Sequence, residues 1–564
     1  MSKKVLSLKI AGPAGLGIKS VGHLFSKILS HYNFTFADYS EYPSLVRGGH
    51  NTYQISFSDK KVFAPHFNID LFFSVQAGHW QQHQSEFSSK TLIFSDEEIK
   101  EKSKKGILLN LPLKTLANEI GSPLVANTIS LGVISYLLNL DLNIVKKIVC
   151  GFFAKASGLN CAALDSGFKY AEENFSKYKI KLNFPKKSKK ETKFYDGNEA
   201  FGWCFLKGEG NFYSAYPMTP ATGTLHFLAA KQEAYPKLKV IHPEDEIAAA
   251  SLAAGASFVG SRSATGTSGG GFALMNETIS FCGVTEIGTV FYLVSRPGPA
   301  TGLPTWTAQG DLLYALNSGH GEFPKVLIAP GDIEEAFEMG YQSLNLAAQL
   351  QLPVIVLSDK LIGESSTSLD NLDKRKVKVV KSKVEEKPGP DFKRYKFTST
   401  GISKLSIPGT KNGQFLANSY EHDEYGFSTE DADAAQKMSQ KRLNKLETAK
   451  NIAPKANFFA SQSAKKLIIS WGSPKSAILE ALEEMESKND YAFLQLKTLW
   501  PINPDIQKIV NAFKEKIVIE NNQTAQLITL LKSQFDFKPT RVLTKNNGRP
   551  FFPEEIIKYL KSKK

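Results

Sequence analysis

Cysteine is scarce. The 564 residues contain 4, Cys150, Cys161, Cys204 and Cys282, widely spaced and never arranged as CxxC. That excludes a zinc ribbon or a cysteine-ligated iron–sulfur cluster on this chain. The thiols read as buried and reduced, the state the cytosol maintains. Long apolar runs are also missing, and none approaches the length of a transmembrane helix. The opening MSKKVLSLKIAG has no sustained hydrophobic stretch because Lys9 interrupts it. It reads as a first strand rather than a signal peptide. A cytoplasmic protein without a membrane segment is expected.

The net charge is +14, which raises the question of nucleic acid. The lysines, however, gather in KKSKK at 186–190, KRKVKVVKSK at 374–383 and the terminal KSKK. They lack the interleaved aromatics of a single-strand platform. A solvated basic surface is the reading, with no nucleic-acid partner; an acidic protein or a phosphate-bearing substrate suits the charge equally. An apolar fraction of 42% supports ordinary cores, and the length allows three or four domains.

Residues 1–178 read as one α/β domain. The strand VLSLKIAG leads through GPAGLG at 12–17 into the helical run IKSVGHLFSKILSHY. Such a turn can present backbone N–H groups to a phosphate. Gly12, Gly15 and Gly17 are the candidates, but Ala14 breaks the GxGxxG spacing, and a tight packing turn explains the glycines as well. Arg47, before Gly48-Gly49, has a guanidinium able to hold phosphate or carboxylate, or simply sits on a surface loop. Residues 179–196 carry a charge run and a proline that mark a Lys-rich linker.

From 197 to 370 the pattern is the βαβ rhythm of a parallel sheet. Three loops stand out: YPMTPAT at 216–222, TGTSGGG at 265–271 and RPGPATGLPT at 296–305. Each follows an apolar strand, and loops at the carboxyl ends of parallel strands converge on one crevice. Thr219, between two prolines, offers a fixed hydroxyl, or caps the next helix. Glu246 opens an Ala-rich helix. A carboxylate there is either a dipole-stabilised helix start or a functional acid in tight apolar surroundings. Ser268, Gly269, Gly270 and Gly271 let a ligand approach the backbone, or form a flexible turn. Arg296 ends a buried strand and suits a carboxylate, or an internal ion pair. The hydroxyls of Thr301 and Thr305 lie nearby in sequence.

Residues 371–465 read as an irregular, charged connecting segment. Its EHDE at 421–424 falls in an acidic loop before a polar helix, and no metal is assigned to it. Residues 466–564 return to a small parallel-sheet α/β domain.

These motifs carry a resemblance. YPMTPAT resembles the YPITPST-type motif of the 2-oxoacid:ferredoxin oxidoreductases. EDEIAAASLAAGASFVGSRSATGTSGGG resembles the segment that follows it in their alpha subunits, and RPGPATGLPTWTAQGDL resembles their R-x-GPSTG-x-PT-x-x-QGDL signature. The likeness runs on through GHGEFPKVLIAPGD, KRYKFTSTGIS, EHDEYG, KRLNKLE and IENNQ, while GPAGLG and VRGGH resemble the family's gamma domain, here fused at the N-terminus. Met218, Ala221, Gly270, Ala300 and Ala14 depart from the family pattern without removing a charged residue.

The resemblance implies a multidomain α/β protein: a gamma domain over 1–178, a thiamine-diphosphate pyrimidine-binding type domain over 197–370, and a transketolase-C-like domain over 466–564. It implies an alpha(-gamma) subunit that oxidatively decarboxylates a 2-oxoacid, 2-oxoglutarate foremost, to acyl-CoA, with electrons passed to ferredoxin. Thiamine diphosphate would be shared with a beta subunit that holds magnesium and the iron–sulfur cluster, in a dimer of alpha-beta pairs. Glu246 would meet the aminopyrimidine. Arg296 would hold the substrate carboxylate, and Tyr216, Thr219 and Thr301 would line its site. Ser268, Gly269 and Gly270 would admit the cofactor, and the N-terminal domain would help cover coenzyme A. Specificity for pyruvate or a branched-chain 2-oxoacid, and a nucleotide-binding or regulatory subunit without catalysis, remain the alternatives.

Overall fold

The computed structural model describes residues 5–44, 48–96, 105–186 and 192–562. In the N-terminal region, β1 (Leu6–Ala14), β2 (Thr35–Glu41), β3 (Gly48–Ser58), β4 (Ile69–Ser74), β5 (Phe87–Ser95) and β6 (Ile107–Asn110) form one sheet. Its order is β2-β3-β1-β4-β5-β6, with β1, β4, β5 and β6 parallel and β3 antiparallel to both β1 and β2. Leu6, Leu8 and Ile10 alternate along β1 into the main core, as a pleated strand requires. Helix Ile18–His31 buries Ile18, Val21, Leu24, Phe25, Ile28 and Leu29, a stripe at helical spacing that covers the same core.

The middle of the chain supplies β7 (Thr192–Asp196), β8 (Phe212–Ser214), β9 (Lys239–Ile241), β10 (Ser263–Thr267), β11 (Val290–Ser295), β12 (Val326–Ile328), β13 (Val354–Asp359) and β14 (Ser366–Asp370). The C-terminal region adds β15 (Asn457–Phe459), β16 (Lys466–Trp471), β17 (Tyr491–Leu496), β18 (Thr498–Trp500), β19 (Glu515–Glu520) and β20 (Arg541–Thr544). The central sheet runs β18-β12-β13-β11-β10-β8-β9. It is parallel except at β18, which joins antiparallel to β12. VFYLVS of β11 and VIVLSD of β13 are buried along their whole length, as expected of strands covered on both faces. A two-stranded sheet pairs β7 with β14, and the last sheet runs β15-β17-β16-β19-β20.

Two seams fasten the N-terminal sheet to the rest. Along one, Tyr42 donates to both oxygens of Glu364 (2.7 and 2.9 Å), and Ser366 N donates to Asp38 Oδ1 at 2.6 Å. Along the other, His66 meets Glu480 (3.1 Å), Glu484 (3.5 Å) and Glu554 (3.6 Å) of the C-terminal region.

Several expectations change. Cys150 and Cys161 form a disulfide, so only Cys204 and Cys282 are the buried free thiols foreseen. The two partners lie in neighbouring helices, Leu142–Phe152 and Ser157–Asn174, whose turn brings their Cα atoms to 6.2 Å. The supposed loop Ser268–Gly271 is the N-cap and first turn of helix Gly269–Leu274, and Thr265 to Thr267 belong to β10. Three glycines lower helix propensity, but burial against the sheet decides. The run taken as a linker ends in β7. The connecting segment contains a 21-residue helix, Ala432–Ile452, whose polar sequence hides a buried face of Met438, Lys441, Arg442, Lys445 and Ala449. Among the described residues no single helix is long and apolar enough to cross a membrane.

Candidate active site

Strands β9, β8, β10 and β11 are neighbours and parallel. Their carboxyl ends therefore put EDE, YPMTPAT, TSGGG and RPGPATG side by side along one edge of the sheet. This adjacency is the geometric reason that stretches distant in sequence share a crevice.

Glu246 is the first residue of helix Glu246–Phe258, and Asp245 caps that helix by accepting from Ala248 N at 2.8 Å. The capping role thus falls to the neighbour. Glu246 itself is 4% exposed, and its Oε1 has no hydrogen-bond partner. Its helix buries Ala249, Ala250, Ala253 and Ala254, so neighbouring backbone comes close. The nearest approach is Gly271, where a Cβ would lie 2.1 Å from Thr267 Oγ1 and 2.6 Å from Glu246 Oε1.

Arg296 follows β11 directly. Its Nη1 donates to the carbonyl of Thr219 at 2.7 Å, which ties the third loop to the first. Among the described residues it makes no salt bridge, so the internal ion pair is not what anchors it. Burial lowers its pKa from the ordinary arginine value, and the charge of Asp311 opposes that shift. Asp311 has an unpartnered Oδ2 and lies within 3.1 Å of where a Gly269 Cβ would be. Burial raises its carboxyl above the usual carboxylate range, against Ser295 and Arg296. The Thr267 hydroxyl reaches Met218 Sδ at 3.8 Å, joining the second loop to the first.

Ser214 at the end of β8 and Ser268 just after β10 also carry buried hydroxyls without partners, on the same edge as Glu246 and Asp311. Buried polar atoms are ordinarily satisfied. Four orphans along one sheet edge fit a polar ligand, and a cofactor bearing ring nitrogens and an amino group answers the Glu246 carboxylate. The same test fails for an iron–sulfur cluster. Two of the four cysteines are bonded to each other, Cys204 packs on Gly340, and Cys282 points at Thr289.

The other candidates fall at varying distances from this edge. Tyr216 is 39% exposed, edge-on to His242 with ring centroids 5.7 Å apart. Ser268 precedes helix Gly269–Leu274 without a side-chain capping bond, and Gly270 has open space where a Cβ would lie. Thr301 is exposed at the apex of a loop folded back on itself, with Leu303 N donating to Pro297 O at 2.9 Å. Thr305 is buried and donates to Tyr42 O, a contact between domains. Gly12 packs on Ile18 and Val75, and Gly17 on Asn127, all within the N-terminal domain. Gly15 is open to solvent with φ +96°. Arg47 lies outside the described residues. In the EHDE stretch, Glu421 pairs with both terminal nitrogens of Arg442 (2.8 and 2.6 Å) and Glu424 with Lys393 (2.7 Å), while Asp423 Oδ1 accepts from Tyr425 N and Phe427 N, so all three acids are engaged. Sequence reasoning passed over Asp311 and Thr267, although QGDL and TGT stand in the quoted motifs.

Comparison with known proteins identifies the family. Residues 205–441 match the family described as pyruvate flavodoxin/ferredoxin oxidoreductase, thiamine diP-bdg, and residues 7–170 match pyruvate ferredoxin/flavodoxin oxidoreductase. The chain is 31% identical to a 2-oxoacid:ferredoxin oxidoreductase subunit alpha of Sulfolobus sp, over 98% of this chain and 96% of that one. It is 28% identical to 2-oxoglutarate synthase subunit KorA of Methanocaldococcus jannaschii, over 60% of this chain and 90% of the relative. Among solved structures, 2-oxoglutarate:ferredoxin oxidoreductase from Magnetococcus marinus, with 2-oxoglutarate, coenzyme A and succinyl-CoA bound, superposes with TM-score 0.93 at 28% identity over 99% of both chains.

Proposed function

Because the chain belongs to the 2-oxoacid:ferredoxin oxidoreductase family as an alpha subunit, we propose that its crevice holds the 2-oxoacid and one face of thiamine diphosphate during oxidative decarboxylation. The reaction converts a 2-oxoacid and coenzyme A to acyl-CoA and CO2, and two electrons leave to ferredoxin. The observation that carries the assignment is the unpartnered, buried Oε1 of Glu246, with Arg296 following β11 on the same edge of the sheet.

Thiamine diphosphate, when bound, supplies the nucleophilic carbon and the electron sink. Glu246 Oε1 holds or accepts a proton at the aminopyrimidine, and its dry surroundings strengthen that contact. Arg296 is steadied by the Thr219 carbonyl and turns its remaining donors to the substrate carboxylate. The negative charge of Asp311 favours the charged guanidinium. Thr219 and Tyr216 border the substrate, and Thr301 reaches it only from the loop apex. Ser268, Gly269 and Gly270 leave room for the ring. In the N-terminal domain, the turn of Gly12, Gly15 and Gly17 would help cover coenzyme A. The 2-oxoglutarate bound in the solved relative favours a dicarboxylic substrate here as well.

A beta subunit supplies the magnesium-diphosphate site and the iron–sulfur cluster, in a cytoplasmic dimer of alpha-beta pairs. The division into a gamma domain (1–178), a pyrimidine-binding domain (197–370) and a transketolase-C-like domain (466–564) is supported by the separate sheets of these regions, with β18 crossing into the central sheet and β15 lying ahead of residue 466. The decisive experiment reconstitutes the chain with a cysteine-bearing partner and follows dye reduction. Turnover that requires 2-oxoglutarate and coenzyme A is expected. Turnover by this chain alone, or none by the pair with any 2-oxoacid, overturns the reading.

A further inference from the structure

On the opposite edge of the central sheet, where β10 and β11 begin, lies a cavity of about 300 Å³. Ser261, Arg262 and Gly288 wall it from the sheet, and Arg394 and Phe415 close it from the segment that crosses beneath. Helix Glu246–Phe258 spans between the two edges, with Glu246 at the crevice and Phe258 in the cavity wall. At 1.5 Å per residue the two ends are about 18 Å apart.

The two arginines of this cavity differ. Arg262 is fully engaged: Nε donates to Gly208 O (2.7 Å), Nη1 to Val380 O (2.8 Å) and Nη2 to Asn345 Oδ1 (2.9 Å). Arg394 is 1% exposed, yet only Nη2 has an acceptor, the backbone carbonyl of Glu286 at 2.9 Å. Its Nε and Nη1 are buried without partners. The nearby carboxylate of Glu286 is already taken by Lys441 and Lys445, each at 2.6 Å. Three buried basic side chains therefore surround one buried carboxylate. Burial and the neighbouring cations pull Lys445 down to about 7. The exposed Lys381–Glu209 pair at 3.0 Å adds no net charge. Gln351, 2% exposed, also lines the cavity, and its Oε1 lacks a donor.

Arg394 lies over the rings of Tyr395 (4.8 Å) and Phe415 (5.7 Å), but two buried N–H groups without acceptors are costly, and their natural complement is an oxoanion. We propose that this cavity binds a small oxoanion, a carboxylate or phosphate with a further hydrogen-bond donor, through Arg394 Nε and Nη1 and Gln351 Oε1. The carboxylate or phosphate supplies the missing negative charge, and its hydroxyl or amino group answers Gln351. The volume limits the ligand to a metabolite of a few carbon atoms. The site is separate from the catalytic crevice and does not depend on the reaction assigned there.

Calorimetric titration and thermal melting of the intact assembly, with inorganic phosphate or glycolate against chloride at constant ionic strength, test the proposal. Saturable binding of at least one probe is expected, weakened at least about tenfold in Arg394→Met, as loss of a charge-assisted contact implies. Ala348→Phe, which fills the cavity and leaves Arg394 in place, should abolish binding even if Arg394→Met does not fold. Arg296→Ala should keep it, which separates this site from the substrate crevice. No saturable binding of either probe, binding unchanged in Ala348→Phe, binding lost in Arg296→Ala, or a crystal soaked in phosphate and glycolate that shows only water against Arg394 would each overturn the proposal.

Discussion

Gly271 and Glu246 share one small space: a Cβ on the glycine would lie 2.6 Å from Glu246 Oε1 and 2.7 Å from its Cγ. Only a residue without a side chain lets this carboxylate keep its position. Gly271→Ala should therefore lower kcat by about 10–100-fold, the scale of a displacement near 1 Å at a reacting group, while the chain still assembles. Steady-state kinetics with coenzyme A and 2-oxoglutarate provide the check. Unchanged kcat would mean that the carboxylate position does not matter.

Glu246→Gln keeps the shape and removes the ionisable oxygen. A drop in kcat of about 10²–10⁴-fold is expected for loss of a positioned acid–base group. The melting temperature should hold or rise, because a buried carboxylate oxygen without a partner is no source of stability. Differential scanning calorimetry beside the kinetics separates the two effects. A variant that is both fully active and less stable would make Glu246 a structural acid.

Arg296→Ala removes the proposed carboxylate grip. A lost hydrogen bond to a charged group costs about 1.5–3 kcal/mol, so the KM for the 2-oxoacid should rise about 10–100-fold. Arg296→Lys should recover only part, because an ammonium lacks the planar fork. If lysine restored KM completely, a general positive charge would suffice there.

The His66 seam gives the molecule a pH-dependent component of stability. Burial alone would lower the imidazole pKa, but Glu480, Glu554 and Glu484 outweigh it and raise it to about 9 from 6.5. A folded value above the unfolded one stabilises fully below about 6.5, and the gain is lost as pH rises through about 9. The melting temperature should fall across this window. His66→Asn should flatten that part of the curve and cost on the order of 3 kcal/mol at pH 6. An unaltered slope in the variant would show that the seam does not carry it.

Much of the catalytic edge was legible because parallel strands advertise themselves. Apolar runs such as VFYLVS and VIVLSD end in Gly/Pro/Thr loops, and the general behaviour of such sheets places those loops together. Strand order was not legible, so the contact between Arg296 and Thr219 could be expected only as a neighbourhood. Asp311 escaped notice because one acid after a glycine reads as a helix start, and only the packing on Gly269 exposes it. The lysines of helix Ala432–Ile452 misled most. Lysine normally marks a wet face, and here two of them are buried against Glu286, which sits 155 residues away in sequence from Lys441. The disulfide was illegible because an 11-residue spacing says nothing until two helices fold back on each other.

Strand β18 leaves the C-terminal region and completes the far edge of the central sheet, with Trp500 opposite Leu327. The last portion of the chain is therefore no interchangeable cassette. A chimera that replaces it with a relative's sequence must import a compatible edge strand, or it exposes a raw β-edge open to self-association. In any such chimera the middle and the end of the polypeptide have to travel together, because one completes the sheet of the other.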